Sequence, residues 1–399
     1  MAARKPLALL VALAALAAAP GASAKVYIDI RPRFSMMAGL DDNVRMDGSG
    51  TDSFGQAVPG LKLDIFGEHH LHLDLDCQAG IARLVHPDRF GLSNSAFASN
   101  ESCALGVRGQ LSPRTNLRLL ARAMYAQDPF AIAGLGLLLR PGQSQIFIGR
   151  FNSELDQSLT RESRIGLAFD ATVLNFGGGD PGNGYLLVPQ VKYDLRTSAR
   201  STWELAAREQ LFFGMQSPPS PSSHTGTPGG LLSAGHAALL GYTYRLTPWA
   251  NLIVRGGPLF LTGAQGDWLH PTARFEIESV TPSTAIHLTL AHDLVIGAGL
   301  AGPLVGDLAE LGVMYEIGRW EGHARAGMYR NAWVHDAFSA GWMGYGGEIG
   351  VDWLLTKEFK LGVAAMRDAR LSDATVGRQV DRDVVQFRLT WERARLLLQ

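Results

Sequence analysis

Apolar and polar residues alternate along most of this chain. In Leu71-His72-Leu73-Asp74-Leu75-Asp76-Cys77-Gln78-Ala79 the odd positions are apolar, and the even ones carry His72, Asp74, Asp76 and Gln78. A period of two is the signature of a strand with one apolar and one wet face. The parity continues: Cys103, Leu105 and Val107 oppose Arg108 and Gln110, and Leu117, Leu119, Ala121 and Ala123 oppose Arg118 and Arg122. Further on, Val191, Tyr193 and Leu195 oppose Lys192, Asp194 and Arg196, while Trp203, Leu205 and Ala207 oppose Glu204, Ala206 and Arg208. Phe275 and Ile277 oppose Arg274, Glu276 and Glu278, and Leu311, Val313, Tyr315 and Ile317 oppose Glu310 and Glu316. Ile349, Val351 and Trp353 oppose Glu348 and Asp352. Val385, Phe387, Leu389 and Trp391 oppose Gln386, Arg388, Thr390 and Glu392.

The pattern predicts strands of about 9–12 residues, a length that suits a tilted membrane-spanning strand. Tight turns are expected at Phe66-Gly67-Glu68, Ser112-Pro113-Arg114, Arg140-Pro141-Gly142, Thr247-Pro248-Trp249, Thr281-Pro282 and Leu355-Thr356, where Pro and Gly supply turn chemistry. Long loops are expected near 38–56, 84–101, 151–162, 177–184, 214–233, 263–270, 293–306, 331–341 and 369–382. The stretch Arg161–Phe176 reads as one strand or as a hairpin turning at Asp170-Ala171. A linear count gives about 19 strands, and single-chain bacterial barrels take an even number, so the expectation is about 18, within 16–20.

Composition then separates a membrane barrel from a soluble sandwich, which also alternates. Hydrophobic residues make up 46% of the chain and charged ones 18%, with a mean hydropathy of +0.04. After the first residues no apolar run reaches the length of a membrane-spanning helix. Tyr27, Phe66, Tyr125, Trp249, Trp320 and Trp353 fall near strand ends, as an interfacial girdle requires. The predicted fold is all-β: a closed antiparallel transmembrane β-barrel with short periplasmic turns and long extracellular loops. It forms one domain over 25–399.

Residues 1–24 carry Arg4 and Lys5, an apolar run Leu7 to Ala19, then Pro20-Gly21 and Ala22-Ser23-Ala24. That order is a secretory signal peptide cut after Ala24. Lys25, not Cys, follows the cut, so no lipid anchor is expected there. The expected location is the outer membrane of a Gram-negative bacterium, with outer-membrane lipid and the barrel-assembly machinery as partners. Many such barrels end on an aromatic residue; here Trp391 is followed by further residues to Gln399.

The net charge is -1, with the basic residues spread out, which argues against nucleic acid. No metal-ligand spacing appears, and Gly177-Gly178-Gly179-Asp180-Pro181-Gly182 lacks the Lys and Ser/Thr of a phosphate loop. No cofactor is expected. His292-Asp293, His335-Asp336, Ser93 and Ser95 form no recognisable catalytic constellation, so no enzyme is expected. Cys77 and Cys103 share the outward parity on consecutive strands, and are either a cross-strand disulfide or two free thiols.

The candidate site is the lumen wall. Its acidic members are Asp74, Asp76, Glu154, Asp156, Asp194, Glu204, Glu276, Glu278, Glu348 and Asp352. Its basic members are Arg108, Arg118, Arg122, Arg164, Lys192, Arg196, Arg208, Arg325 and Arg388. Both signs line salt-bridged, solvated walls, or set a transverse field that selects solutes.

Two family resemblances bear on function. Gly149-Arg150-Phe151-Asn152-Ser153-Glu154-Leu155-Asp156, with Ser163-Arg164-Ile165-Gly166 after it, resembles diffusion porins. There a strand ending in Gly-Arg leads into an inward-folded acidic loop. The resemblance implies that Glu154 and Asp156 face Arg118, Arg122 and Arg164. On strict alternation Arg150 shares a face with Ile146 and Ile148, so a lumen position requires a bulge. In size, lone-barrel architecture and both-sign lumen the chain also resembles the single-domain barrels of exopolysaccharide export. That resemblance implies an outer-membrane port for a secreted polysaccharide, partnered by a periplasmic polysaccharide co-polymerase. Export is the leading expectation, a general diffusion porin the alternative, and a non-conducting surface barrel the third.

Overall fold

A computed structural model describes residues 27–42, 50–67, 70–86, 98–126, 146–176, 183–214, 231–263, 266–296, 303–333, 341–371, 380–393 and 397–398. The expected leader and the turn at Arg140-Pro141-Gly142 lie outside these residues, as do Ser93, Ser95 and His335-Asp336.

The described residues form one antiparallel sheet closed on itself. Eighteen long strands run in order: β1 Tyr27–Asp41, β2 Asp52–Phe66, β3 His72–Leu84, β4 Ala98–Ser112, β5 Thr115–Ala126, β6 Ile146–Ser158, β7 Ser163–Phe176, β8 Gly184–Arg196 and β9 Ser201–Gly214. Then follow β10 Leu231–Thr247, β11 Ala250–Gly263, β12 Trp268–Val280, β13 Thr284–Ile296, β14 Pro303–Ile317, β15 Trp320–Trp333, β16 Gly341–Leu354, β17 Phe359–Leu371 and β18 Val380–Glu392. A two-residue strand, Leu397–Leu398, pairs with Ile28 and Asp29. Arg161–Phe176 resolves into a turn followed by the single strand β7.

Closure comes from β1 against β18, from Arg33 opposite Glu392 to Asp41 opposite Val384. A buried pair, Arg382 to Asp41 at 2.5 Å, ties the two strands at their outer ends. A closed sheet has no edge, which is what lets strands cross hydrocarbon with every backbone group paired. Tight turns alternate with long connections, so the termini and the tight turns mark the periplasmic end. In the two-residue turn after β14, Gly318 takes a φ of 60°, which costs least without a Cβ.

The apolar register faces outward. Leu205, Val191, Leu311, Ile349 and Phe387 stand 60%, 48%, 44%, 63% and 61% exposed, as side chains turned to lipid would be. Trp203, Tyr242, Trp249, Trp320 and Trp353 ring the periplasmic end, Trp320 stacked on Trp353 at 5.6 Å. Tyr185 and Phe213 stack at 4.6 Å towards the outer end. Phe66 is a correction: it shares the inward register with Asp64 and stacks on His72 at 4.4 Å. It therefore belongs to the lumen side, not to the girdle. Cys77 and Cys103 sit directly opposite one another on β3 and β4 and are joined as a disulfide.

The hydrogen-bond ladders skip at three places, and a proline stands in each. The skips fall at Pro59 between β2 and β3, at Pro189 between β8 and β9, and at Pro258 between β10 and β11. Proline has no N–H to donate to a ladder. Beside Pro258, the position of a Cβ on Gly257 would run into the Ala238 carbonyl oxygen, so only glycine admits that close approach.

Candidate functional site

A barrel of this size leaves an interior wide enough for water, and its periplasmic half is lined by charges. On β1 to β3, Arg31 pairs with Asp64 and lies 3.4 Å from Asp29. Arg33 reaches Asp76 and bonds to Gln78 at 3.1 Å. On β5 to β8, Glu154 receives Lys192 and, at 3.4 Å, Arg118. Arg164 lies 2.6 Å from Asp194 and 3.6 Å from Asp156. Arg255 pairs with Glu204 at 2.9 Å, and Arg274 with Glu276 at 2.5 Å. Arg325 meets Glu310 at 2.8 Å, His323 meets Glu348 at 3.3 Å, and Arg388 meets Asp352 at 2.8 Å.

Two expectations about this wall need correction. Glu154 and Asp156 do not lie on an inward-folded loop over 151–162, because β6 runs on to Ser158 and only 159–162 turns. They are part of the wall itself. Arg150 needs no bulge to reach the lumen. Ile146 and Ile148 are its inward neighbours, 1% and 3% exposed, while Phe147 and Phe151 face out at 39% each. The rule that the apolar register faces lipid fails at the outer end of β6, where both registers are apolar.

Arg108, Arg118, Arg122 and Arg150 thus stand on one inward stretch of β4, β5 and β6. Arg108 is opposite Arg118, and Arg122 is opposite Arg150. All four are exposed to the lumen. Among the described residues only Arg118 of the four has a carboxylate partner. Glu278 and Arg196 also lie on the inward register, Arg196 bonding to the Ser198 carbonyl at 3.1 Å. The pairs made by Asp29, Arg31 and Arg33 went unread in the sequence, although Asp29-x-Arg31-x-Arg33 has the same period of two.

The outer half of the lumen on β9 to β14 differs. Phe212, Ala237, Leu239, Leu259 and Leu261 point inward and bury one another, with Leu294 and Val305 among them. Leu294 and Val305 belong to the outward register of β13 and β14, shared with Leu290 and Leu311. Yet they are 4% and 6% exposed, and a Cβ placed on Gly235 of β10 would lie 3.3 Å from Leu294 Cδ1. The tip of the β13–β14 hairpin therefore sits inside the wall made by β9 to β11. Arg208 of β9 holds Asp293 with both terminal nitrogens at 2.8 Å. The neighbours His292 and Asp293 take opposite faces: His292 Nδ1 lies 2.6 Å from Asp307.

The closed wall, its outward apolar band and its wet, charged interior define an outer-membrane β-barrel. No family model matches the chain, and no curated protein matches it in sequence. Among solved structures it is similar to Pseudomonas aeruginosa OccK2 (OpdF), crystallised in complex with glucuronate, at 10% identity and a TM-score of 0.46, over 94% of this chain and 99% of that one. A BenF-like porin from Pseudomonas fluorescens Pf-5 gives 9% identity and a TM-score of 0.46, over 94% and 99%. The siderophore receptor PirA of Pseudomonas aeruginosa gives 10% and 0.39, over 92% and 80%.

Proposed function

We propose that this barrel is a diffusion channel for small hydrophilic solutes, with a preference for anions. The observation that carries the reading is the cluster Arg108, Arg118, Arg122 and Arg150, exposed to the lumen and mostly without carboxylate partners among the described residues. Halfway round the ring from β5 lies β14, where Glu316 faces the lumen, with Glu278 nearby on β12. Arginines on one wall and carboxylates on the other set a field across the lumen, and a charged or dipolar solute orients in it. Arginine also offers paired donors to a carboxylate or phosphate.

The export-port expectation gains no support. A sugar polymer needs aromatic platforms along its path. Phe147, one candidate, faces outward, and Phe212 is locked in the apolar cluster. Tyr329 remains, alone of the aromatics the sequence had offered for that role.

The test is the reversal potential of single channels in a planar bilayer under a salt gradient. The reading expects anion selectivity in the parent and its loss in the Arg108→Ala, Arg122→Ala, Arg150→Ala variant. A cation-selective parent would sink the anion preference. A silent barrel that oligosaccharides bind would return the export port.

A further inference from the structure

Above Ala273 and His292 the wall is split. These two residues form the last rung between β12 and β13. β12 nevertheless continues to Trp268 and β13 to Ile296, and neither 268–272 nor 293–296 pairs across the gap. β12 stays with β11 up to Trp268, whereas β13 leaves with β14 into the lumen. An unpaired strand edge in a membrane wall is costly and persists where it lines a cavity.

A cavity lies there. Directly outside the last rung is a groove of about 690 Å³, lined by Ala273, Phe275, Leu290, Ala309, Met328 and Met343. These belong to the outward, lipid-facing register. Just behind the gap, on the lumen side, Arg208 holds Asp293. The two bonds at 2.8 Å are the geometry of an arginine gripping a carboxylate. Around them Arg208 Nε, Gln210 Oε1 and His270 Nε2 are enclosed without hydrogen-bond partners. Each such atom raises the free energy of the closed arrangement.

We propose that this seam is a lateral portal for a single-chain amphiphile with a carboxylate head, of the fatty-acid class. The groove opens on the lipid face, so an acyl chain is what fills it. Arg208 and His270 stand at its inner end and fix the sign of the head. Asp293 is the chain's own stand-in for that head. A ligand carboxylate replaces Asp293 on Arg208 one charge for one charge, and the hairpin tip is released from the β9–β11 wall. The portal is independent of which ions cross the lumen.

The experiment places the full-length protein in lipid nanodiscs and titrates in a dibrominated fatty acid. Emission from Trp268, on the free edge of β12, is isolated by difference from Trp268→Phe. The portal gives saturable quenching that Arg208→Gln abolishes and Ala309→Trp blocks. Asp293→Asn removes the competitor and tightens the apparent affinity on the order of tenfold. Quenching that does not saturate, or that the neutral methyl ester reproduces equally, means partition into bilayer lipid and overturns the proposal. Should Arg208→Gln fail to fold, Gly235→Cys with Leu294→Cys pins the tip, in a Cys77→Ser, Cys103→Ser background. Oxidation then abolishes the saturable quenching and reduction restores it; quenching indifferent to the pin overturns the portal.

Discussion

The periplasmic half of the lumen and the outer half of its β9–β14 wall are built from the same alternation, yet one stays open and the other folds onto itself. Below, the inward register carries Arg31, Asp64, Glu154, Arg164, Lys192 and Glu310, and the ladders run on. Above, it carries Phe212, Leu239, Leu259 and Leu261, and the ladders fail at Pro258 and beyond Ala273. Water decides the difference. A charged wall keeps its solvent, because stripping an ion of water costs more than closure returns. An apolar wall facing water gains roughly 25 cal/mol for each Å² it hides. The hairpin tip with Leu294 and Val305 is what hides it.

If burial holds the tip, removing one central side chain should have the largest effect on the molecule. Leu259 is 1% exposed and sits within the cluster. Leu259→Ala is expected to cost about 2–5 kcal/mol. The check is the midpoint of urea unfolding of the refolded barrel, followed by its single-channel conductance. A loosened tip widens the outer lumen, so conductance rises. Lost stability with unchanged conductance would show that the tip does not narrow the path.

The disulfide sharpens the comparison from outside the lumen. Cys77 and Cys103 close a loop with a sequence separation of 26. Cys77→Ser with Cys103→Ser is expected to cost about 3 kcal/mol, by loop closure in the unfolded chain. Both residues belong to the outward register, so ion selectivity in the bilayer should not move. A change in selectivity would mean that the β3–β4 wall is distorted without the bond.

Much of this was legible in the sequence, and the reasons for the rest are physical. Strict alternation announced the spanning strands, because a wall between lipid and water must change polarity at every residue. It failed where the wall is not between lipid and water. Ile146, Ile148, Leu294 and Val305 are apolar on faces that alternation assigns otherwise, since a protein surface rather than water or lipid covers them. β6 was cut short for a related reason: the acidic run at Glu154 and Asp156 looked like a loop, whereas lumen-facing carboxylates are ordinary in such a wall. The portal residues Arg208 and Asp293 lie 85 positions apart, and no local pattern brings them together. The arginine cluster was visible residue by residue. That Arg108, Arg122 and Arg150 lack carboxylates followed only from register.

In the charged half, single substitutions should do the reverse of Leu259→Ala. Lys192 pairs with Glu154 and lies 3.6 Å from Asp156. Lys192→Ala should cost at most about 1 kcal/mol, as pairs beside water do. It leaves Glu154 and Asp156 less neutralised, so the anion preference falls by a measurable fraction. The reversal potential reads the second effect and urea unfolding the first. A stability loss of Leu259→Ala size would show that this half is a packed core too.

The smallest expected effect separates the two halves without any substitution. Raising salt from about 0.1 M to about 1 M shortens the screening length from about 10 Å to about 3 Å. Selectivity set by Arg108, Arg122 and Arg150 acts through lumen water and should fade across that range. The tip is held by buried side chains, and Arg208 and Asp293 are only 15% and 28% exposed, so it should stay in place. Conductance should then rise in proportion to bulk conductivity while the reversal potential collapses towards zero. A conductance that climbs faster than the bulk would mean that salt frees the tip. In that case the Arg208–Asp293 pair, rather than apolar burial, holds the outer half shut.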